Sequence, residues 1–290
     1  MDKVKINIME EFYDKETLER VQRTQAGILK DVLALCERHR IDTFIIFGSA
    51  LGVVRHQGFI PWDDDIDIGI FREDLPRFKR AAAKELGDRY EFLTCETNKN
   101  YACTVTHFQK KGTKFISRDM KNCDYTPGIN IDIFVYDHLP DGYIARKYQY
   151  FMTWFLGRLL YLSGKGIPFI PYTGAKKKVA ELICNLVRLG LRILHITPIK
   201  VYRRFQEVSQ RYNNRHTEYY AAFETPKPWV NAMRKKDVYP LQEMPFMDFT
   251  VKVPKNTDEL LTRVFGDYMQ LPPEEKRINH RPYLIDFGEE

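Results

Sequence analysis

Three aspartates, spaced so that a sheet would bring them together, carry the chemistry of this 290-residue chain. Asp65-Ile66-Asp67-Ile68 alternates polar and apolar. Residues two apart in a strand face the same side, so Asp65 and Asp67 would project together while Ile66 and Ile68 face a core. Ile129-Asn130-Ile131-Asp132-Ile133-Phe134 repeats the pattern with one central acid. Paired beside the first strand, it would add Asp132 to complete a triad. Carboxylates this close repel, and one pKa rises unless a cation lies between them. Mg²⁺, or Mn²⁺ in its place, relieves the conflict, because a hard cation takes oxygen ligands and commonly binds one or two carboxylates plus substrate phosphates. A merely solvated acidic loop would have the same acids, but not their alternation with isoleucine.

The elements before the acids suit the same chemistry. Phe44-Ile45-Ile46-Phe47 has the length and apolar content of a buried strand, predicted over Thr43–Phe47. Gly48-Ser49 would turn off it, and their amides, at the mouth of a short helix from Ala50 to Arg55, could cradle a phosphate. Arg55 and His56 are either phosphate contacts or braces of the loop. Trp62 could stack on a base or cap a cationic group, or simply pack. Asp63 and Asp64 could orient the ligating acids from behind. His107, in a strand predicted over Tyr101–Gln109, is a further candidate contact.

Around these lie recognisable elements. Asp14 to His39 is an amphipathic helix with Leu18, Val21, Gln25, Ile28, Val32, Leu35 and Cys36 on one face. Leu75 to Leu86 is a second helix, with Pro76 tolerated near its start. Tyr90–Thr94 and Lys114–Ser117 are strand candidates, the latter after a Lys110–Thr113 turn. From Tyr143 the pattern turns helical: Arg146–Leu162, rich in aromatics, then Lys176–His195, then a helix from Pro198 to about Asn213. Phe246–Val253 reads as a strand or hairpin arm, and Asp258–Phe265 as a helix capped by Asn256. The reading is α+β: a mixed sheet with flanking helices and an all-helical insertion. Residues 1–142 would form the catalytic core, 143–215 a basic helical insertion, and 216–290 the part that completes the catalytic domain.

Composition narrows the partners. The net charge of +6 is too modest to imply nucleic acid. Between Tyr143 and Arg204, however, twelve Lys or Arg face one acid, Glu181, so this stretch carries +11 and the remainder −5. Such a face would be drawn to anionic lipid, at about 1 kcal/mol per basic residue near the surface; an ordinary helical subdomain with solvated lysines is the other reading. The five cysteines are dispersed without a C-x-x-C pair, as expected of reduced thiols in the cytosol. Met1-Asp2-Lys3-Val4-Lys5-Ile6 lacks the apolar run of a signal peptide, and no segment has the roughly 18 apolar residues of a membrane span. The expectation is a cytoplasmic protein, with peripheral contact at the inner face of the cytoplasmic membrane.

Gly-Ser after an apolar strand, then an Asp-x-Asp strand and a later single-Asp strand, resembles the nucleotidyltransferase superfamily. The longer string Leu51-Gly52-x-x-Arg55-His56-x-Gly58-Phe59-Ile60-Pro61-Trp62-Asp63-Asp64-Asp65-Ile66-Asp67 is similar to the LicD-type phosphotransferase family, which includes phosphocholine transferases and is related to the fukutin proteins. Gly266-Asp267-Tyr268-Met269, Leu271-Pro272-Pro273 and His280 extend the resemblance. Gly48-Ser49 stands where the family often has Gly-Thr, which keeps the hydroxyl. The resemblance implies transfer of phosphocholine from CDP-choline, or of a related phosphoalcohol such as ribitol phosphate from its CDP donor, to a sugar hydroxyl of a glycan or glycolipid precursor of lipopolysaccharide or teichoic acid type, with CMP leaving. In that scheme Asp65, Asp67 and Asp132 hold Mg²⁺ and act in catalysis. Gly48, Ser49, Arg55, His56, Trp62, Asp63, Asp64, His107 and His280 line the substrate site. A nucleotidyltransferase that consumes an NTP, or a non-enzymatic scaffold, are the rival expectations.

Overall fold

A computed structural model describes residues 13–168, 170, 172–277, 279 and 281–288. The chain opens with α1 (Lys15–Arg38), whose N-cap Asp14 accepts the Thr17 amide at 2.8 Å. All seven residues of its predicted apolar face are buried. There follow β1 (Thr43–Ile45), α2 (Phe47–His56), β2 (Asp67–Phe71), α3 (Leu75–Glu85), β3 (Tyr90–Leu93), β4 (Thr106–Lys110), β5 (Lys114–Ile116) and β6 (Asn130–Leu139). Three helices come next, α4 (Tyr143–Ser163), α5 (Gly174–Ile193) and α6 (Pro198–Ser209). The chain then runs through β7 (Tyr219–Ala222), β8 (Met233–Arg234), α7 (Lys235–Val238), the hairpin of β9 (Gln242–Phe246) and β10 (Phe249–Val253), α8 (Thr257–Phe265) and β11 (Leu284–Asp286). Short 3₁₀ turns interrupt several connections.

The sheet is mixed, in the order β1-β2-β6-β4-β3. β6 is its spine. One edge of β6 pairs in parallel with β2; the other pairs antiparallel with β4 along its first half and with β7 along its second. Ten residues let one strand serve two partners in succession. The fold is therefore α+β, a mixed sheet with flanking helices, as the pattern of elements implies.

Alternation along β2 and β6 divides the core into two faces. Ile66, Ile68, Ile70, Ile131, Ile133 and Val135 pack beneath α1 and α3. Phe71, Phe134 and Tyr136 point the other way and meet Phe44 and Tyr220. Gly69 is needed on that side, because a Cβ there would fall 2.4 Å from the Phe44 ring. A third cluster joins α4 and α6 to β7 through Leu156, Leu160, Phe205 and Ala221.

Several boundaries differ from the sequence expectation. β1 stops at Ile45, and Phe47 already opens α2, so Gly48 and Ser49 lie in the first helical turn and not in a separate turn before it. The predicted strand from Tyr101 shortens to Thr106–Lys110, with Tyr101 as a buried aromatic outside the ladder. Asn256 occupies the N-cap of α8 but makes no side-chain cap bond; its amide donates to Asp237. On α5, Leu182, Ile183, Leu186 and Leu189 are exposed, whereas the packed position is Leu191.

Candidate active site

The three strands β2, β6 and β4 bring His107, Asp132 and Asp67 into one row. Asp67 is the direct cross-strand partner of Asp132, and His107 is the partner of Asp132 on its other side. Directly opposed residues share a face, so this row tops the face that continues into Phe134 and Tyr136. Asp65 lies just before β2, which begins at Asp67; the pairing still reaches Ile66, whose carbonyl accepts the Asp132 amide at 2.8 Å. Burial pushes the Asp67 carboxyl well above the usual carboxylate range, and the charges of Asp65, Asp132 and Asp63 push it further. Asp132 is also raised by burial, against the lowering influence of His107 and of a hydrogen bond from Asn130.

Asp132 is held by its neighbours. Asn130 Nδ2 donates to its Oδ1 at 2.6 Å, and His107 Nε2 lies 3.4 Å from the same oxygen. Asn130 is two residues before Asp132 on the same strand face. Tyr101 packs edge-on against the His107 ring at 5.5 Å. Both contacts fall on Oδ1; Oδ2 accepts no hydrogen bond among the described residues.

The acidic loop is positioned from α1. Gln22 and Gln25 donate their side-chain amides to the carbonyls of Asp63 and Asp64, both at 2.8 Å. Gln25 also reaches the Asn130 carbonyl at 3.1 Å, tying the loop to the start of β6. Asp64 is buried and its carboxylate accepts the Tyr13 hydroxyl at 2.8 Å, so it anchors the loop. Asp63 stays near Asp67 and over α2, where a Cβ on Gly48 would sit 3.4 Å from its Oδ2. The first turn of α2 thus faces a carboxylate, consistent with the positive end of a helix. Ser49 is buried, and its hydroxyl accepts the Asp67 amide at 2.8 Å, which locks α2 to β2. Ahead of it, Phe47 adopts φ 50°, uncommon for a bulky side chain, and its ring meets Phe134 edge-on at 5.0 Å.

Arg55 and His56 gather on the other side of the loop. Arg55 Nη1 donates to the Tyr268 carbonyl at 2.6 Å and lies 3.3 Å from the Gln270 carbonyl; its Nε donates to His56 Nε2 at 3.0 Å. Arg55 is thereby a brace that joins α2 to the segment after α8. Burial and the adjacent Arg55 charge lower the His56 pKa, which keeps the ring neutral at physiological pH. Trp62 stands edge-on to His56, ring centres 6.3 Å apart, and the Arg277 guanidinium stacks over the indole at 5.1 Å. Sequence reading missed Arg277, Asn130 and Gln25: each reaches the site across the fold, and only Asn130, two before Asp132, carried a local signal. His280 lies outside the described residues.

The donor set fits a hard divalent cation: two buried or half-buried carboxylates face each other with a third beside them, a crowding that a cation relieves. Among the described residues no three His, Cys, Asp or Glu side chains already close into a metal cage. A site that completes its shell with substrate phosphates needs no such cage.

Residues 40–155 match a family described as LicD/FKTN/FKRP, nucleotidyltransferase domain, and that span holds the whole His107–Asp132–Asp67 row. That span is thus similar to the LicD family, within an α+β fold. Over nearly its full length it is similar to the lipopolysaccharide cholinephosphotransferase LicD of Haemophilus influenzae, with 26% identity covering 92% of this chain and 96% of that protein. An uncharacterised protein of Rickettsia prowazekii is 33% identical across 42% of this chain and 45% of its own. The human ribitol 5-phosphate transferase FKRP is 36% identical over 56 residues, which are 19% of this chain and 11% of that one.

Proposed function

We propose that this protein transfers phosphocholine from CDP-choline to a sugar hydroxyl of a surface-glycan precursor, releasing CMP. The observation that carries this reading is the paired Asp67 and Asp132 on adjacent parallel strands, in a chain aligned end to end with a cholinephosphotransferase. Asp65, Asp67 and Asp132 would hold Mg²⁺. When bound, the metal neutralises phosphate oxygens and lowers the pKa of an attacking hydroxyl.

The chain's own residues would supply the rest. Asp132, with Oδ1 fixed by Asn130 and His107, offers Oδ2 to take the proton of the acceptor hydroxyl. Burial raises its pKa, which makes its carboxylate a stronger base than a solvated one. The acceptor oxygen bonds to the phosphorus of phosphocholine, the bond from that phosphorus to CMP breaks, and the proton passes to Asp132. Trp62 under Arg277 provides a flat, cationic platform for the nucleotide end. A peripheral position on the inner face of the membrane would bring a lipid-carried acceptor within reach.

Mass analysis of the acceptor after incubation with CDP-choline and Mg²⁺ tests this reading. A gain of one phosphocholine group supports it; a gain of a nucleoside monophosphate identifies a nucleotidyltransferase instead. A gain of ribitol phosphate from CDP-ribitol, with CDP-choline inert, would place the specificity with the FKRP-like branch.

A further inference from the structure

Helix α5 is amphipathic in the reverse sense to a core helix. Its inward side packs through Leu191, with Cys184 and Val187 half-buried. Its outward side presents Val179, Leu182, Ile183, Leu186, Leu189 and Ile193, each 53–65% exposed. Spaced three or four residues apart, with Leu182 and Ile183 adjacent, they make one continuous stripe. α4, which packs against α5, adds Ile144, Tyr148, Phe151 and Phe155, again three and four apart and exposed. Two adjacent helices therefore turn apolar faces to the outside, larger than the scattered apolar residues normal on a soluble surface.

The rim of this face is basic. Lys176, Lys177 and Lys178 occupy the first turns of α5 and are exposed; Arg192 lies near its end. Glu181 is the single acid between Tyr143 and Arg204, against twelve Lys or Arg. Among the described residues no helix is long and apolar enough to cross a membrane. We infer that α4 and α5 form an interfacial platform that lies on an anionic lipid surface, with the apolar stripe at the level of the acyl boundary and the lysines among headgroups. Charge decides against the other occupant. Two copies meeting through this face would bring the exposed Lys176, Lys177 and Lys178 of each toward the other's basic rim, whereas an anionic leaflet complements them.

The platform also lies close to the chemistry. On α4, Trp154 and Arg158 line a cavity of about 130 Å³ with Cys103 and Thr104, in the segment between Tyr101 and His107. An acceptor anchored in the leaflet would approach from this side. The inference does not depend on which phosphoalcohol is transferred.

Sedimentation of the full chain with phosphatidylglycerol–phosphatidylcholine vesicles at low salt tests it, with CMP release from CDP-choline read separately in the absence of vesicles. Binding should be at least ten-fold stronger than to pure phosphatidylcholine and should weaken as salt rises. Leu182→Gln with Leu186→Gln, and independently Lys176→Glu with Lys177→Glu and Lys178→Glu, should each lower vesicle binding at least ten-fold and leave vesicle-free CMP release unchanged. Absence of binding at low salt, or self-association that the Leu182→Gln and Leu186→Gln pair abolishes, would overturn the inference. Loss of CMP release without loss of vesicle binding would count against the transfer reading alone.

Discussion

Asp67 and Asp132 are direct partners across the parallel pair β2–β6, with the Asp67 side chain almost wholly buried. Two acids so placed are costly in an unliganded fold. Burial and neighbouring charge raise the Asp67 pKa, so the native state holds that proton more tightly than the unfolded chain. Stability is then lost as pH rises through the unfolded carboxylate range toward the raised native value. Asp67→Asn should raise the melting temperature of chelator-treated protein at pH 7 by several degrees and lower turnover by at least about 10²-fold. Calorimetry beside a CMP assay checks both; a variant less stable than the parent contradicts the crowding argument.

Asp132 should depend on the side chains that fix its Oδ1. His107→Gln removes a contact at 3.4 Å and should lower kcat by roughly 10–100-fold, the range for groups that orient a ligand or base, with little change in KM. A raised KM with kcat preserved would make His107 a substrate contact instead.

Arg55 braces α2 against the segment after α8. Arg55→Ala should cost about 1.5–3 kcal/mol of stability, the range for hydrogen bonds to a charged group, because the Tyr268 and Gln270 carbonyls lose their donor. Denaturant titration measures it. An unchanged midpoint, with a large rise in donor KM, would return Arg55 to phosphate binding.

Glu224 gives a second pH signature away from the acids. Burial, partly countered by Arg72, pushes its carboxyl up to about 8. The group is protonated in the native state and ionised in the unfolded chain between its ordinary range and about pH 8, so stability falls as pH rises through that window. Glu224→Gln should flatten this part of the melting profile, leaving a protein several degrees more stable at pH 8. An unaltered profile would mean that the carboxyl is not desolvated.

Much of this architecture is local and was therefore legible. The stripe on α1 and the isoleucine alternation around Asp67 and Asp132 follow from helix and strand periods, and they place the acids on one face. What was not legible depends on pairing. Nothing in the string around Ser49 says that its hydroxyl will take the Asp67 amide, or that Gln25 will bridge Asp64 and Asn130. Arg277 reaches Trp62 across more than two hundred residues of chain. α5 shows the limit most clearly: its amphipathic period is visible in sequence, but period alone cannot say that the apolar side faces out.

CMP release from CDP-choline with Mg²⁺ and a glycan acceptor is the decisive measurement for phosphocholine transfer at the proposed Asp65–Asp67–Asp132 site. Acceptor-dependent CMP formation should stop on chelation and be lost in both Asp67→Asn and Asp132→Asn. Pyrophosphate release from an NTP in place of CMP, or undiminished CMP formation in Asp67→Asn, would contradict it.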